Sequence, residues 1–106
     1  MEDPLIKKIE TILFDHSVVI FMKGTPEFPQ CGYSLRACEI LRNAGVKDLF
    51  SVNVLLDDAL WNALEDYTKC ATVPQIFINR KFIGGCEDIT EMHESGQLDQ
   101  LLDECR

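Results

Sequence analysis

The stretch Ser17-Val18-Val19-Ile20-Phe21-Met22-Lys23-Gly24-Thr25-Pro26-Glu27-Phe28-Pro29-Gln30-Cys31-Gly32-Tyr33-Ser34 decides the fold. Ser17 to Met22 is a short apolar run rich in β-branched residues, which suits a buried central strand. Lys23 to Gln30 holds Gly24, Pro26 and Pro29 and reads as a loop. Cys31 then opens an amphipathic segment whose apolar face is drawn from Leu35, Cys38, Ile40 and Leu41, with Gly45 as its stop. Strand, loop and helix in this order call for a second, parallel strand reached by a crossover.

That second strand is expected where Phe50, Val52 and Val54 alternate. Asp57-Asp58 then caps a helix with Leu60, Leu64 and Tyr67 on one face. Gln75 to Asn79 and Lys81 to Gly84 read as two strands joined by a tight turn at Asn79-Arg80. Upstream, Asp3-Pro4 starts a helix carrying Leu5, Ile6, Ile9, Ile12 and Leu13 on one side. Downstream, Gly84-Gly85 leads into a helix at Cys86-Glu87-Asp88 with Ile89 and Met92 inward, Gly96 breaks it, and Leu98, Leu101 and Leu102 form a last helix. The order α-β-α-β-α-β-β-α-α predicts an α/β fold: one four-stranded mixed sheet flanked by helices, spanning 1–106 as a single domain.

The charge is unevenly spread. Residues 1–86 carry 11 acidic and 9 basic side chains, whereas residues 87–106 carry seven acids against Arg106, so the net −8 lies mostly at the C-terminal end. This balance argues against nucleic acid as a partner. The terminal acids read as a solvated helix face. No run is long and apolar enough to cross a bilayer, and no signal-peptide core is visible, so no membrane association is expected. The five cysteines (Cys31, Cys38, Cys70, Cys86 and Cys105) are odd in number and irregular in spacing. Free thiols of this kind point to a reducing intracellular compartment: cytoplasm, or a mitochondrial or plastid matrix if a transit peptide was removed.

Three segments carry chemistry. Cys31 follows a Pro-bearing loop and precedes a helix, with Lys23 eight residues upstream. A helix N-terminus and a nearby ammonium both stabilise a thiolate, making Cys31 a candidate nucleophile and metal ligand. The position that would complete a Cys-x-x-Cys pair is Ser34. In Thr72-Val73-Pro74 the proline enters a strand, through either a cis bond or an ordinary trans start. Gly84-Gly85-Cys86-Glu87-Asp88 permits close backbone approach to free helix N–H groups, and suits a ligand carboxylate. Cys38 reads as core, Cys70 as a loop thiol without a role, and Cys105 as lying near a frayed terminus. His16 and His93 lack spaced metal-ligand partners.

Taken together, the Lys-Gly-Thr-Pro loop, Cys31-Gly32-Tyr33-Ser34, Thr72-Val73-Pro74-Gln75 and Gly84-Gly85-Cys86 resemble the monothiol glutaredoxins of the Cys-Gly-Phe-Ser class. The resemblance runs from about the first helix to the last and implies a thioredoxin-like fold. It further implies glutathione bound beside Cys31, and a [2Fe-2S] cluster shared by a homodimer through two such cysteines and two glutathione thiols. BolA-type proteins and recipient iron–sulfur apoproteins are the implied partners, and oxidoreductase turnover is at most weak.

By the same resemblance, Cys31 matches the catalytic cysteine and cluster ligand, and Lys23 the lysine near that sulfur and the glutathione carboxylate. Val73 matches the residue whose backbone pairs with the cysteinyl part, Pro74 the cis-proline, and Cys86 with Glu87 the pair at the γ-glutamyl end. Tyr33 stands where Phe is usual. Cys70-Ala71 replaces the common Trp-Pro, and Trp61 falls where the class commonly carries an arginine for the glycyl carboxylate. Loss of that arginine predicts glutathione binding weaker by about one to two decades, with Lys69 as the substitute cation, or a natural thiol whose glycyl carboxylate is blocked.

The chief expectation is therefore a cluster carrier in iron–sulfur assembly and thiol redox homeostasis. The alternatives are a glutathione-dependent thiol transferase, and a redox-switch adaptor in which Cys86 resolves Cys31.

Overall fold

The computed structural model describes residues 3–105. The helices are α1 (Pro4–Asp15), α2 (Gly32–Asn43), α3 (Asp58–Thr68), α4 (Cys86–Ser95) and α5 (Gln97–Glu104). The strands are β1 (Val18–Met22), β2 (Leu49–Asn53), β3 (Gln75–Ile78) and β4 (Lys81–Gly84), and a 3-10 turn covers Val54–Leu56. They form one sheet in the order β2-β1-β3-β4, parallel between β1 and β2 and antiparallel elsewhere. This is the expected mixed sheet, in a thioredoxin-like arrangement.

β1 is buried along its whole length because both its faces are covered. Val18, Ile20 and Met22 join Ile76 and Ile78 against α2, α4 and α5. Val19 and Phe21 point the other way, to Phe77, Ile9, Leu13, Leu60 and Leu64 of β3, α1 and α3. Period-2 side chains and helices on both sides explain why this run shows no polar alternation.

Local signals end the elements as expected. The Asp3 carboxylate accepts the Leu5 N–H at 2.8 Å with Pro4 at the helix start, and Asp57 accepts the Leu60 N–H at 3.0 Å. After α2, the Gly45 N–H reaches the Arg42 carbonyl and the Val46 N–H the Leu41 carbonyl, a Schellman closure. Asn79 and Arg80 both take positive φ, 52° and 69°, the signature of a type I′ hairpin turn. Asn79 thus belongs to the turn, and β3 stops at Ile78.

Three expectations need correction. Leu35 is 43% exposed; the buried residues of α2 are Ser34, Ala37, Cys38, Ile40 and Leu41, so Cys38, Ile40 and Leu41 lie inward as expected and the stripe starts at Ser34 instead. Its first member is a serine, so apolarity alone misplaced the start of the stripe. Val54 is fully buried, but in the 3-10 turn rather than on β2. The Asn53 side chain ends the strand there by accepting the Leu55 N–H at 3.1 Å. Cys105 packs partly buried against the α2–α4–α5 core, so the chain is docked there.

Gly24 sits at φ +87°, where an added Cβ would collide with the Phe28 carbonyl and the Gln30 amide. Gly32 has open space around that position. Gly24→Ala should therefore lower unfolding stability by about 1–3 kcal/mol, and Gly32→Ala should stay within about 0.5 kcal/mol of wild type, measured by urea denaturation.

Candidate functional site

Lys23 and Cys31 are brought together by a loop that closes on itself. The Thr25 and Phe28 backbones exchange hydrogen bonds at 3.3 and 3.1 Å, and the Gln30 N–H returns to the Lys23 carbonyl at 2.9 Å. Cys31 therefore enters α2 beside the end of β1, as the N-cap residue with extended backbone (φ −152°, ψ 136°). Ser34, one turn in, is fully buried, and its hydroxyl accepts the Lys23 N–H at 3.3 Å. The residue that denies Cys31 a partner thiol thus also fastens the loop to the helix.

Around Cys31 lies a groove with two lobes. The larger, about 660 Å³, is lined by Lys23, Cys31, Tyr33, Val73, Pro74, Cys86 and Glu87, so it gathers every residue expected at the site. The Val73–Pro74 bond is cis, which decides the alternative the residues left open. Trp61 and Cys70 line the same lobe, whereas Lys69 is not among its lining residues. Lys69 instead ends α3 in the left-handed region at φ 62°. The second lobe, about 620 Å³, runs between α2 and α4 and is lined by Tyr33, Arg36, Thr90 and Glu91 together with Cys31 and Cys86.

At the far wall, Gly85 is the N-cap of α4, and the Asp88 carboxylate accepts the Gly85 N–H at 2.9 Å. Gly84 has φ +128°, and a Cβ there would strike the Asp88 side chain, so the tight entry depends on glycine. Glu87 and Asp88 are both exposed and both line the groove, but Asp88 is turned back onto the Gly85 N–H.

The Cys31 thiol is only partly buried and is held below its ordinary value. The Ser34 backbone N–H contributes most, the Tyr33 N–H, the Lys23 ammonium and the Ser34 hydroxyl add to it, and partial burial opposes them. The Cys38 thiol is pushed up, chiefly by burial, with Arg42 opposing and Glu27 and Glu39 adding. Its sulfur lies 3.6 Å from Met22 Sδ in the core. One cysteine is thus set up as a thiolate and the other as an inert side chain.

Two features escaped the sequence reading. Arg36 lines the second lobe just beyond the Cys31-Gly32-Tyr33-Ser34 segment, yet an arginine on an exposed helix position carries no signal of its own. The Lys23 ammonium lies over the Trp61 ring, 5.7 Å from its centroid, so the residue standing for an arginine holds a cation of its own. Cys70, for which no role was found, shares a lobe with Cys31 and Cys86. Elsewhere, His16 is accounted for by stacking on Phe50 at 3.8 Å. The acids of α4 and α5 are exposed, as a solvated face requires.

The fold and the groove define a thioredoxin-like domain with the thiolate-favouring Cys31 at the start of a helix, in the same groove as a cis-proline. The family model described as Glutaredoxin matches residues 18–83. Monothiol glutaredoxin-5, mitochondrial, of Saccharomyces cerevisiae is 43% identical over 94% of this chain and 68% of its own length. Among solved structures, reduced poplar apo GrxS14 superposes with TM-score 0.83 at 36% identity, covering 94% of this chain and 91% of that one. A buckwheat glutaredoxin–glutathione complex gives 0.85 at 30%, covering 95% and 89%. The chain belongs to the glutaredoxin family, in its monothiol class.

Because the thiolate is the reactive form, alkylation of Cys31 by iodoacetamide should rise with pH to a plateau whose midpoint lies below that of a free thiol. Lys23→Ala removes a favourable charge and should move the midpoint upward. Peptide mapping of the native protein should find Cys31 labelled first and Cys38 last.

Proposed function

We propose that the chain binds glutathione in the groove beside Cys31, and that two protomers share a [2Fe-2S] cluster as cargo for transfer to other proteins. The observation that carries this reading is the convergence of Lys23, Val73-Pro74 and Cys86-Glu87 on one groove around the partly exposed, thiolate-favouring Cys31. The buckwheat glutaredoxin, solved as a glutathione complex, supports the choice of thiol.

Each residue has a task suited to its chemistry. The α4 N-terminus offers backbone N–H groups to the γ-glutamyl carboxylate, and Glu87 faces the ammonium beside it. The Val73 backbone, which makes no hydrogen bond to another described residue, pairs with the cysteinyl unit. Lys23 receives the glycyl carboxylate. This arrangement sets the glutathione sulfur next to Cys31 Sγ.

A [2Fe-2S] cluster takes four sulfur ligands. Among the described residues no group of three or more His, Cys, Asp or Glu side chains converges on a metal position. Cys31 supplies one sulfur per chain, and its partly exposed position suits sharing across a two-fold axis with a second protomer and two glutathiones. With Ser34 in place of a second cysteine, no neighbouring thiol can expel a ligand from Cys31 by forming an intramolecular disulfide across one helical turn. BolA-type proteins and iron–sulfur apoproteins are the proposed partners. The mitochondrial name of the yeast relative supports a matrix location. No helix among the described residues is long and apolar enough to cross a membrane.

A second reading is favoured by the lowered Cys31 thiol and the second lobe at Arg36. In glutathionyl transfer, the Cys31 thiolate attacks the glutathione sulfur of a protein mixed disulfide and releases the protein thiolate. Free glutathione then attacks the Cys31-bound glutathione sulfur, forming glutathione disulfide and freeing Cys31.

Anaerobic reconstitution with iron, sulfide and glutathione, followed by size-exclusion chromatography, separates the two. The carrier reading expects a coloured dimer that is lost on omitting glutathione or in Cys31→Ser. A colourless monomer that rapidly turns over a glutathionylated peptide would replace it with the transferase. A Cys31→Ser protein that kept its cluster would remove Cys31 as ligand.

A further inference from the structure

The wall of the groove formed by α3 is unusual in its chemistry. Trp61 lies there with the Lys23 ammonium 5.7 Å from its ring centroid, and both side chains line the lobe that contains Cys31, Val73 and Pro74. The ring is a fixed platform. Trp61 packs against the core that holds Phe21, Phe77 and Leu64, and its backbone is held in the first turn of α3, where the main-chain N–H donates to the Asp57 carbonyl at 3.1 Å. Lys23 has a well-held backbone, but its four-carbon stem is free to swing into solvent unless something retains its head. The negative face of an indole does this for an ammonium.

Lys23 is also the one cation among the residues lining this lobe. Lys69 is not among them, and Arg36 belongs to the other lobe. The acids of the lobe are Glu87 and Asp88, and Asp88 is committed to the Gly85 N–H. Any recognition of a ligand carboxylate at the α3 wall therefore falls to Lys23, and its location is governed by Trp61.

We propose that Trp61 is a positioning residue that holds the Lys23 ammonium on the α3 wall as the receptor for the terminal carboxylate of a γ-glutamyl-cysteinyl peptide. The identity of that ligand rests on the glutathione reading above; the pairing of Trp61 with Lys23 does not. An ammonium already confined by the ring gives up little further freedom when the carboxylate arrives, which is how a prearranged site gains affinity. The ring and the lysine then act as one unit: a point charge on an aromatic seat replaces a guanidinium fork. The chain discriminates a free carboxyl terminus from a blocked one through this pair; the discrimination disappears with the lysine and falls sharply with the ring.

Calorimetric titration of the reduced protein with S-methylglutathione and with its glycine amide tests this without thiol chemistry. Wild type should prefer the free carboxylate by about tenfold. Trp61→Leu, which keeps apolar bulk but removes the ring face, should cut the preference to about threefold or less, and Trp61→Phe should restore most of it. Lys23→Met should abolish the preference, and adding Trp61→Leu to Lys23→Met should change it no further. Equal weakening of both ligands by Trp61→Leu, or an unchanged effect of that substitution in the Lys23→Met background, would show the ring to be a wall and overturn the proposal.

The pairing has its own readout. The Lys23 methylene protons should be shifted upfield by the indole ring current in NMR spectra, and should return to ordinary values in Trp61→Leu. Unshifted Lys23 resonances in wild type overturn the proposal whatever binds. Shifted resonances with no binding of either ligand sink the glutathione reading and support the positioning of Lys23.

Discussion

Lys23 and Gly24 are tied at the backbone to three separate parts of the chain. The Lys23 N–H donates to the Ser34 hydroxyl, the Lys23 carbonyl accepts from Gln30, and the Gly24 N–H donates to the Asn53 side chain at 3.0 Å. These bonds join the end of β1, the first turn of α2 and the end of β2. The position of Cys31 depends on them, because it is the residue that follows Gln30 and opens α2. Little of this closure is apolar burial. It is hydrogen bonding at part-buried positions, where an unpaired group costs about 1–3 kcal/mol, so the loop has few alternative conformations.

The rest of the groove is arranged around that fixed point by the sheet. β1 and β3 are neighbours, so the cis-proline entry to β3 falls beside the exit from β1. The β3–β4 hairpin then delivers Gly84-Gly85 and the start of α4 to the same region, and an added Cβ at Gly85 would lie 3.3 Å from the Pro74 carbonyl. Segments far apart in the chain thus meet because a four-stranded sheet of this order brings their ends together. The charges follow the same logic. The Lys23 ammonium lies over Trp61 at the α3 wall and Glu87 lines the wall formed by α4, so the groove places opposite side-chain charges at these two walls.

Much of this was legible along the chain. Element order, the Asp3 and Asp57 caps and the Asn79-Arg80 turn all followed from local chemistry. Cys31, Val73-Pro74 and Cys86-Glu87 stood out because glycine, proline and cysteine have strong local signatures. The misses have a common origin. Leu35 and Val54 were assigned by apolar spacing, but Ser34 and Asn53, two polar residues bonded across the fold, set the true boundaries. Arg36 and the Lys23–Trp61 contact carry no local signature, since each depends on a neighbour remote in sequence or on another element.

By itself the sequence determined the elements, the buried central strand and the presence of one reactive thiol without a Cys-x-x-Cys partner. These depend on backbone preference, side-chain period and residue identity within a few positions. Only the tertiary structure decided that Val73–Pro74 is cis, that Ser34 faces inward to bind Lys23, and that Trp61 lies beneath the Lys23 ammonium. The reason is physical: near-balanced local choices and long flexible side chains are settled by contacts that exist only once the sheet has brought distant segments side by side.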